Sequence, residues 1–266
     1  MDEKAKHHIF VIMTNFSIVI VCRNETHVIG RSLSSMLGCT DDILVYDNGS
    51  TDGTQERVKE SGARLIEGAW EGFGPTKNRA IAEAKYDWIL SLDADEALDP
   101  ELKRSLEEWR PQTELEVFNI AFKNFLGERH LAYGEWGRDS HIRLFNRTKV
   151  KWDDAPVHER LILPETIKVK KLKGFVLHRT MKDLRDYSNK MVYYAMLGAE
   201  KYFQQGKKAS WFKLHVSPGF NFFKFYILQL GFLDGYAGYF SARMTTWYTF
   251  MKYARLKELW QNKTKI

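Results

Sequence analysis

The length of 266 residues suits one large α/β domain, or one domain with an appendage. Residues 1–150 have a net charge of −6 and residues 151–266 a net charge of +12. This uneven split argues against a nucleic-acid-binding surface that extends over the whole chain. The two cysteines, Cys22 and Cys39, have neither metal-ligand nor disulfide spacing, which favours a reducing compartment. The opening residues predict no signal peptide, and no apolar run reaches the roughly 18 residues of a membrane span.

The front of the chain alternates between strands and helices. The stretch 16–22 is continuously apolar and rich in β-branched residues, which predicts a central strand buried on both faces. Further strands are predicted at 42–46, 63–66 and 88–92, with helices between them that end near residues 37, 60 and 84. Short connections of this kind predict a mainly parallel sheet with helices on its faces, and such sheets bind ligands at the carboxyl ends of their strands.

Three acids follow the predicted strand at 88–92. They are Asp93, Asp95 and Glu96, and because strand side chains alternate between faces, Asp93 and Asp95 can share one face. Carboxylate oxygens suit a hard cation such as Mg²⁺ or Mn²⁺, which in turn bridges substrate phosphates. The alternative is a solvated acidic turn that caps a helix after Pro100.

Two other segments at the same edge carry polar side chains. The loop at 47–54 has neither a P-loop nor a dinucleotide motif. Its Asp47 can accept a hydrogen bond from a base or ribose, or the loop can form an Asx-type turn and a helix cap. Lys77 and Arg79 begin the predicted third helix, where they can meet phosphate oxygens or lie on a solvated face.

These segments together resemble a known family. The stretches SIVIVCRNE, ILVYDNGSTDGT and KNRAIAEAKYDWILSLDADE resemble the nucleotide-sugar half of family 2 glycosyltransferases, which have the GT-A fold, a Rossmann-like α/β fold. Val157-His-Glu159, Leu177-His178 and other later segments resemble the lipopolysaccharide core glucosyltransferase branch of that family. The resemblance implies a catalytic domain over 1–182, with a nucleotide-sugar half at about 16–100 and an acceptor half at about 101–182.

The resemblance also implies roles for individual residues. The nucleotide pocket for a UDP-sugar would be lined by Glu25, Asp47, Lys77 and Arg79. Asp93 would hold the ribose or the sugar. Asp95 would bind Mg²⁺ or Mn²⁺, and His178, after the apolar run 175–177, would complete the metal site.

Transfer of a sugar to an acceptor hydroxyl requires a general base. The candidate acids are Glu135, Asp139, Asp153, Asp154 and Glu159. Glu159 is preferred because the strand-like segment 160–163 can fix its position, and Asp139 is the second choice. The alternative for Glu159 is an ion pair with Arg160 or a nearby lysine. His158 is expected to support a neighbouring residue rather than to act as a nucleophile.

The rear of the chain, residues 183–266, predicts amphipathic helices rich in aromatic and basic residues. Helical periodicity runs from 183 to 205, Pro218-Gly219 interrupts the chain, and aromatic runs follow at 220–230 and 236–253. Such helices suit an anionic membrane surface, but they can also cover the sheet or form a homodimer interface. The resemblance implies a lipid-anchored acceptor and so favours a peripheral position on the cytoplasmic face of the membrane.

The expected activity is metal-dependent, inverting transfer of a hexose, glucose in the resembling branch, from a UDP-sugar to a glycan or lipid-linked acceptor such as lipopolysaccharide core. Inversion follows from the resemblance alone. One alternative is an inactive, membrane-associated scaffold that binds nucleotide sugars. Another is a sugar nucleotidyltransferase, which would carry a Gly-rich loop after the first strand, where this chain has Arg23-Asn24-Glu25.

Overall fold

A computed structural model describes residues 15–154 and 159–263 of the chain. The expectation about a signal peptide concerns residues 1–14, and the supporting role of His158 concerns the segment 155–158. Both expectations therefore lie outside the described residues.

The front of the chain forms the alternating unit that the sequence predicts. Its strands are β1 (Ser17–Cys22), β2 (Ile43–Asp47), β3 (Arg64–Glu67) and β4 (Trp88–Asp93), and its helices are α1 (Ile29–Met36), α2 (Thr54–Glu60) and α3 (Phe73–Ala82). β1 pairs in parallel with β2 and with β4, and β2 pairs in parallel with β3. The carboxyl ends of these four strands therefore lie at one edge of the sheet.

The middle of the chain extends this sheet with strands of both directions. The elements are β5 (Glu96–Leu98), α4 (Pro100–Glu108), β6 (Glu116–Leu126), β7 (Arg129–Leu131), β8 (Ser140–Asn146), β9 (Lys151–Trp152), β10 (Leu161–Ile162) and β11 (Lys168–Met181). Within the described ranges, nine strands form one sheet in the order β3-β2-β1-β4-β8-β6-β11-β5, with β7 paired to β6, and β9 and β10 form a separate two-stranded ribbon. The predicted α/β fold class is confirmed.

Strand β5 was not predicted, and it changes the interpretation of the acids before it. The chain turns at Ala94 and Asp95 and then pairs antiparallel with β11, so that His178 lies opposite Glu96. The helix after Pro100 is capped by Asp99, whose Oδ1 accepts a 2.7 Å hydrogen bond from the backbone N–H of Leu102. The helix cap is therefore separate from the acids at 93–96.

The sheet is covered on both faces, which holds its carboxyl edge rigidly. Alternate residues of β1 divide between two apolar clusters, with Ile18 and Ile20 in one and Val19 in the other. The first cluster contains residues of α1 and α4, and the second contains residues of α3. Burial on both faces explains why the central strands have continuously apolar sequences.

The rear of the chain is helical, as predicted. It contains α5 (Leu184–Gln204), α6 (Trp211–His215), α7 (Ser217–Phe222), a π-helical turn (Phe223–Leu228), a 3-10 turn (Gly231–Asp234) and α8 (Gly235–Lys263). Pro218 lies in the first turn of α7, where it needs no N–H partner, so the break falls just before it, between α6 and α7. The helices contact the sheet through a cluster that contains Leu131, Met181 and Tyr187. The division into domains near residue 182 stays a prediction.

None of the described helices combines the length and the apolar content of a membrane-spanning segment.

Candidate active site

The carboxyl ends of β1, β2 and β4 surround a cavity of about 600 Å³. Its charged or imidazole lining side chains are Arg23, Glu25, Lys77, Asp93, Asp95, Glu159, His178 and Lys190. Residues far apart in sequence meet here because parallel strands end at the same edge of the sheet. We call this space the first cavity.

A second cavity of about 630 Å³ adjoins the first. It extends along β8 and the β9–β10 ribbon, where Ser140, Arg143 and Arg160 contribute to its lining. Lys77, Asp93, Glu159 and His178 line both cavities. These four side chains therefore stand where contents of the two cavities would meet.

Lys77 is the buried cation between the two cavities. Its Nζ lies 3.1 Å from Asp93 Oδ1 and 2.9 Å from Glu159 Oε1, and 4.7 Å from the centre of the Trp152 ring. Burial lowers the pKa of Lys77, but the charges of Asp93 and Glu159 outweigh burial and raise it above its ordinary value. The structure contradicts the solvated-face alternative for Lys77, which stays charged and fixes two carboxylates.

Asp93 is held by a second buried cation, Arg143. Arg143 Nη2 donates to Asp93 Oδ2 at 2.9 Å and also to Glu96, whose side chain is fully buried. Burial raises the pKa of Asp93, but Lys77 and Arg143 outweigh burial and hold it well below its usual range. Asp93 is therefore an ionised carboxylate with a fixed orientation.

Asp95 and His178 form the pair that could hold a metal. His178 Nε2 lies 3.6 Å from Asp95 Oδ2, and His178 Nδ1 lies 2.7 Å from Asn124 Oδ1. Because an amide oxygen only accepts, Nδ1 carries a proton and Nε2 is the nitrogen that faces Asp95. Burial lowers the pKa of His178, but the nearby carboxylate of Asp95 outweighs burial and raises it above its ordinary value. Asn124 in turn donates to Asp139 at 2.9 Å. A histidine fixed in this way by its outer nitrogen fits a metal ligand, and the Asp95 carboxylate suits a hard cation such as Mg²⁺ or Mn²⁺.

Asp95 and His178 alone would supply only two of the ligands that a metal ion needs. In the ranges 15–154 and 159–263, no three His, Cys, Asp or Glu side chains converge closely enough to hold an ion. Two protein ligands leave positions for phosphate oxygens and water, which is the usual arrangement for Mg²⁺ bound with a substrate phosphate.

Of the other residues predicted to contact the nucleotide, one lines the first cavity and two do not. Glu25 lines the first cavity, as expected. Asp47 is fully buried, and its Oδ2 accepts from the backbone N–H groups of Gly49 at 3.0 Å and Ser50 at 2.8 Å. Arg79 forms an exposed ion pair with Glu71 at 2.9 Å. Neither Asp47 nor Arg79 lines the first cavity, so their contacts to nucleotide stay predictions.

The candidate bases also occupy different places. Glu159 lines both cavities and pairs with Lys77, as the ion-pair alternative expected, although that pair is buried rather than on the surface. Asp139 accepts from Asn124 and lies 2.9 Å from His141 Nε2, behind His178. The remaining candidates lie elsewhere: Glu135 accepts from Thr245 of α8, Asp153 accepts from the backbone N–H of Arg160, and Asp154 is exposed. Of these five acids, only Glu159 lines the first cavity.

Two site residues were missed. Arg143 lies within β8 beside apolar residues, and a charged residue in such a strand signals a buried carboxylate partner. Trp70 follows β3 and lines the first cavity with Phe73, their rings 4.8 Å apart and edge to face. A tryptophan in a loop at the carboxyl edge of a sheet was the available signal for Trp70.

The chain is similar to known glycosyltransferases. A family model described as Glycosyl transferase family 2 matches residues 17–163. An uncharacterized glycosyltransferase of Rickettsia typhi is 28% identical, over 93% of this chain and 88% of the relative. The lipopolysaccharide core biosynthesis glycosyltransferase LpsC of Rhizobium meliloti is 27% identical, over 90% of this chain and 91% of the relative.

A partial likeness to a solved structure was also found. Glucosyl-3-phosphoglycerate synthase of Mycobacterium tuberculosis, crystallised with Mn²⁺, UDP and glucosyl-3-phosphoglycerate, gives a TM-score of 0.32 at 24% identity. The match covers 43% of this chain and 44% of that one, so the chain spans less than half of that structure. The family match covers more than half of the present chain. The chain therefore belongs to glycosyl transferase family 2 and is a glycosyltransferase.

Proposed function

We propose that this glycosyltransferase moves a hexose, with glucose as the first choice, from a UDP-sugar to a hydroxyl of a glycan or lipid-linked acceptor such as lipopolysaccharide core. The observation that carries the proposal is that Lys77, Asp93, Glu159 and His178 line two adjoining cavities. A transferase needs such a boundary between its donor and its acceptor. The relative named as a lipopolysaccharide core glycosyltransferase supports the acceptor class.

The first cavity takes the donor in this proposal. It lies at the carboxyl edge of the parallel strands, where α/β sheets bind nucleotides. Trp70 is 48% exposed and can offer a ring face to the uracil base. Asp93 has a fixed orientation from Lys77 and Arg143 and would hold the ribose or the sugar.

Asp95 and His178 would hold a divalent cation together with oxygens of the donor diphosphate. When bound, the cation neutralises negative charge on the UDP leaving group. Asn124 and Asp139 support His178 from behind and keep its Nε2 directed at Asp95.

The second cavity takes the acceptor, and Glu159 is the general base. The acceptor hydroxyl oxygen attacks the anomeric carbon from the face opposite the diphosphate. The bond from that carbon to the diphosphate oxygen breaks, its electron pair leaves with UDP, and Glu159 takes the hydroxyl proton. The ion pair of 2.9 Å with Lys77 keeps Glu159 oriented between the cavities. Direct displacement of this kind inverts the anomeric centre.

The proposal extends to a position on the cytoplasmic face of an anionic membrane. Trp211, Phe212 and Phe220 of α6 and α7 are 71%, 60% and 57% exposed. Lys208 and Lys213 lie in the same segment, and exposed aromatics with basic residues suit an anionic lipid surface. Sedimentation with anionic vesicles should fall when Trp211 and Phe212 are replaced by Ser. If the replacement instead changes the oligomeric state and leaves sedimentation intact, the same surface is a homodimer interface.

Titration calorimetry with UDP tests the donor site. We expect binding that requires Mn²⁺ and disappears in Asp95→Ala, while the exposed-acid control Glu60→Ala binds as the wild type does. UDP binding that is unchanged without metal, or in Asp95→Ala, would contradict the metal assignment. If the protein binds none of UDP, GDP, CDP and dTDP and transfers no sugar, the whole proposal is contradicted.

A further inference from the structure

A third cavity, of about 600 Å³, lies between α5, α8 and the β9–β10 ribbon. Its basic lining side chains are Arg160, Lys201, Lys207 and Lys252, and its aromatic lining side chains are Tyr202 and Tyr248. A single acid, Asp153, also lines it, and that carboxylate accepts a 3.0 Å hydrogen bond from the backbone N–H of Arg160. The cavity thus carries an excess of positive charge.

Lys252 is the central cation of this cavity, and it is partly buried without a carboxylate. Its Nζ lies 5.1 Å, 4.9 Å and 5.2 Å from the ring centres of Tyr202, Tyr248 and Tyr253. Among the described residues, no ion pair involves Lys252. Burial lowers the pKa of Lys252, and the nearby charges of Lys207 and Lys213 lower it further. Aromatic faces compensate only part of the cost of burying an ammonium group.

Lys207 is held beside Lys252 by the turn after α5. Its Nζ lies 4.4 Å from the ring centre of Tyr202. The turn is fixed because the backbone N–H of Lys207 donates to the carbonyl of Tyr202 at 2.9 Å, and Trp260 Nε1 donates to the carbonyl of Lys207 at 2.7 Å. Gly206 has a φ of 71° there, a conformation that other residues rarely adopt. The fold therefore brings two cations together that repel each other.

The third cavity lies next to the second one. Arg160 lines both, and it directly follows Glu159, the proposed base. Gly198 leaves room for Lys252 and Tyr248, since a Cβ at that position would lie 3.2 Å from Lys252 Cδ and from the Tyr248 hydroxyl. A group bound between α5 and α8 would thus lie on the acceptor side of the protein.

We propose that the third cavity binds a phosphoryl group carried by the acceptor glycan, with Lys207 and Lys252 as its principal contacts. A phosphoryl dianion has enough oxygens to accept hydrogen bonds from several ammonium groups at once. Its charge relieves the repulsion between the two lysines, neither of which forms an ion pair with a described carboxylate. The assignment to the acceptor rests on the proposed function, whereas the phosphoryl site itself does not.

Titration calorimetry of the full chain with glucose 6-phosphate, and with glucose as the uncharged counterpart, tests the site. We expect glucose 6-phosphate to bind and glucose not to bind. The double variant Lys207→Gln/Lys252→Gln should weaken this binding by about tenfold or more. The control Lys59→Gln/Lys257→Gln removes two exposed lysines and the same net charge, and it should bind as the wild type does.

Separate measurements distinguish this site from the donor cavity and from a lipid surface. Binding of glucose 6-phosphate should persist in Asp95→Ala, and the Lys207→Gln/Lys252→Gln variant should still bind UDP with Mn²⁺. A wild type that does not bind glucose 6-phosphate, or equal losses in both double variants, would overturn the proposal. It would also be overturned if Lys207→Gln/Lys252→Gln lost binding to phosphatidylglycerol vesicles but kept glucose 6-phosphate, because the cavity would then serve a lipid headgroup.

Discussion

The chain gathers basic side chains in two places, and it compensates them in opposite ways. At the carboxyl edge of the sheet, Lys77 and Arg143 lie against carboxylates at 2.9–3.1 Å. Between α5 and α8, Lys252 lies against tyrosine rings, with Lys207 as a second cation. Paired cations fix the positions of the proposed catalytic acids, whereas unpaired cations leave the capacity to bind an anion.

The largest effect is expected from removing Arg143, the paired cation that contacts the fully buried Glu96. Arg143→Met leaves Glu96 buried without its cation, and Asp93 keeps only Lys77. Breaking such a buried pair costs about 3–5 kcal/mol of the free energy of unfolding, because one uncompensated charge stays inside. Chemical denaturation measures this loss.

Arg79→Met is the matched control for Arg143→Met. Its ion pair with Glu71 at 2.9 Å is exposed on both sides, so its loss should cost less than about 1 kcal/mol. Equal losses in the two variants would show that the Asp93–Glu96 cluster does not depend on its buried cation.

Glu159 lines both cavities and Asp139 lines neither, so replacing each acid should affect catalysis to a different extent. Glu159→Gln removes the proposed base and keeps the shape of the side chain, so kcat should fall by about 10²–10⁴ while UDP affinity is retained. Asp139→Asn acts indirectly, through Asn124 and His178 and through His141, and its kcat should fall by less. Steady-state transfer assays give both values, and the reverse order would make Asp139 the base.

Replacing the two lysines compares the two regions directly. Lys77→Met leaves Glu159 unpaired and should lower the free energy of unfolding by about 1–3 kcal/mol, since Asp93 keeps Arg143. Lys252→Met removes an uncompensated charge and keeps an apolar stem against the tyrosine rings, so stability should stay within about 0.5 kcal/mol of the wild type or rise. A loss for Lys252→Met as large as that for Lys77→Met would mean that Lys252 has a stabilising partner.

Much of the front of the molecule could be predicted because its signals are local. The continuous apolar runs of β1, β2 and β4 indicate strands buried on both faces, and the acids after β4 then fall at the ligand-binding edge. Asp93 and Asp95 could therefore be placed at that edge before any geometry was known, whereas His178 was predicted from the family resemblance and Glu159 from the strand-like segment that follows it.

The rest depends on contacts between distant parts of the chain. Strand β5 has three residues, too few for a periodic signal, and it exists because β11 pairs with it. The role of Arg143 follows from β8 lying beside β4, a neighbour that the alternating pattern of the front does not specify. The lysines of the third cavity meet only because α5 and α8 pack together, and basic aromatic helices do not reveal which faces they bury.

Glu25 is the acidic counterpart of Lys252, and the smallest effect is expected there. It lines the first cavity, and burial together with the charge of Asp95 raises the pKa of Glu25 from 4.5 to about 7, although Lys190 opposes the shift. The folded protein therefore holds this proton more tightly than the unfolded chain. As the pH rises from about 4.5 to about 7, unfolding releases the proton and the contribution of Glu25 to the free energy of unfolding falls.

Glu25→Gln mimics the protonated acid and removes this dependence. Denaturation of the wild type and of Glu25→Gln across the same pH range should show the wild type losing stability relative to the variant. The loss is small because Glu25 is partly exposed and solvent screens its charge. In the control Glu60→Gln, on the exposed face of α2, the free energy of unfolding should change with pH as it does in the wild type. A constant difference between the wild type and Glu25→Gln would mean that Glu25 is already compensated by a cation, as Asp93 is by Lys77 and Arg143.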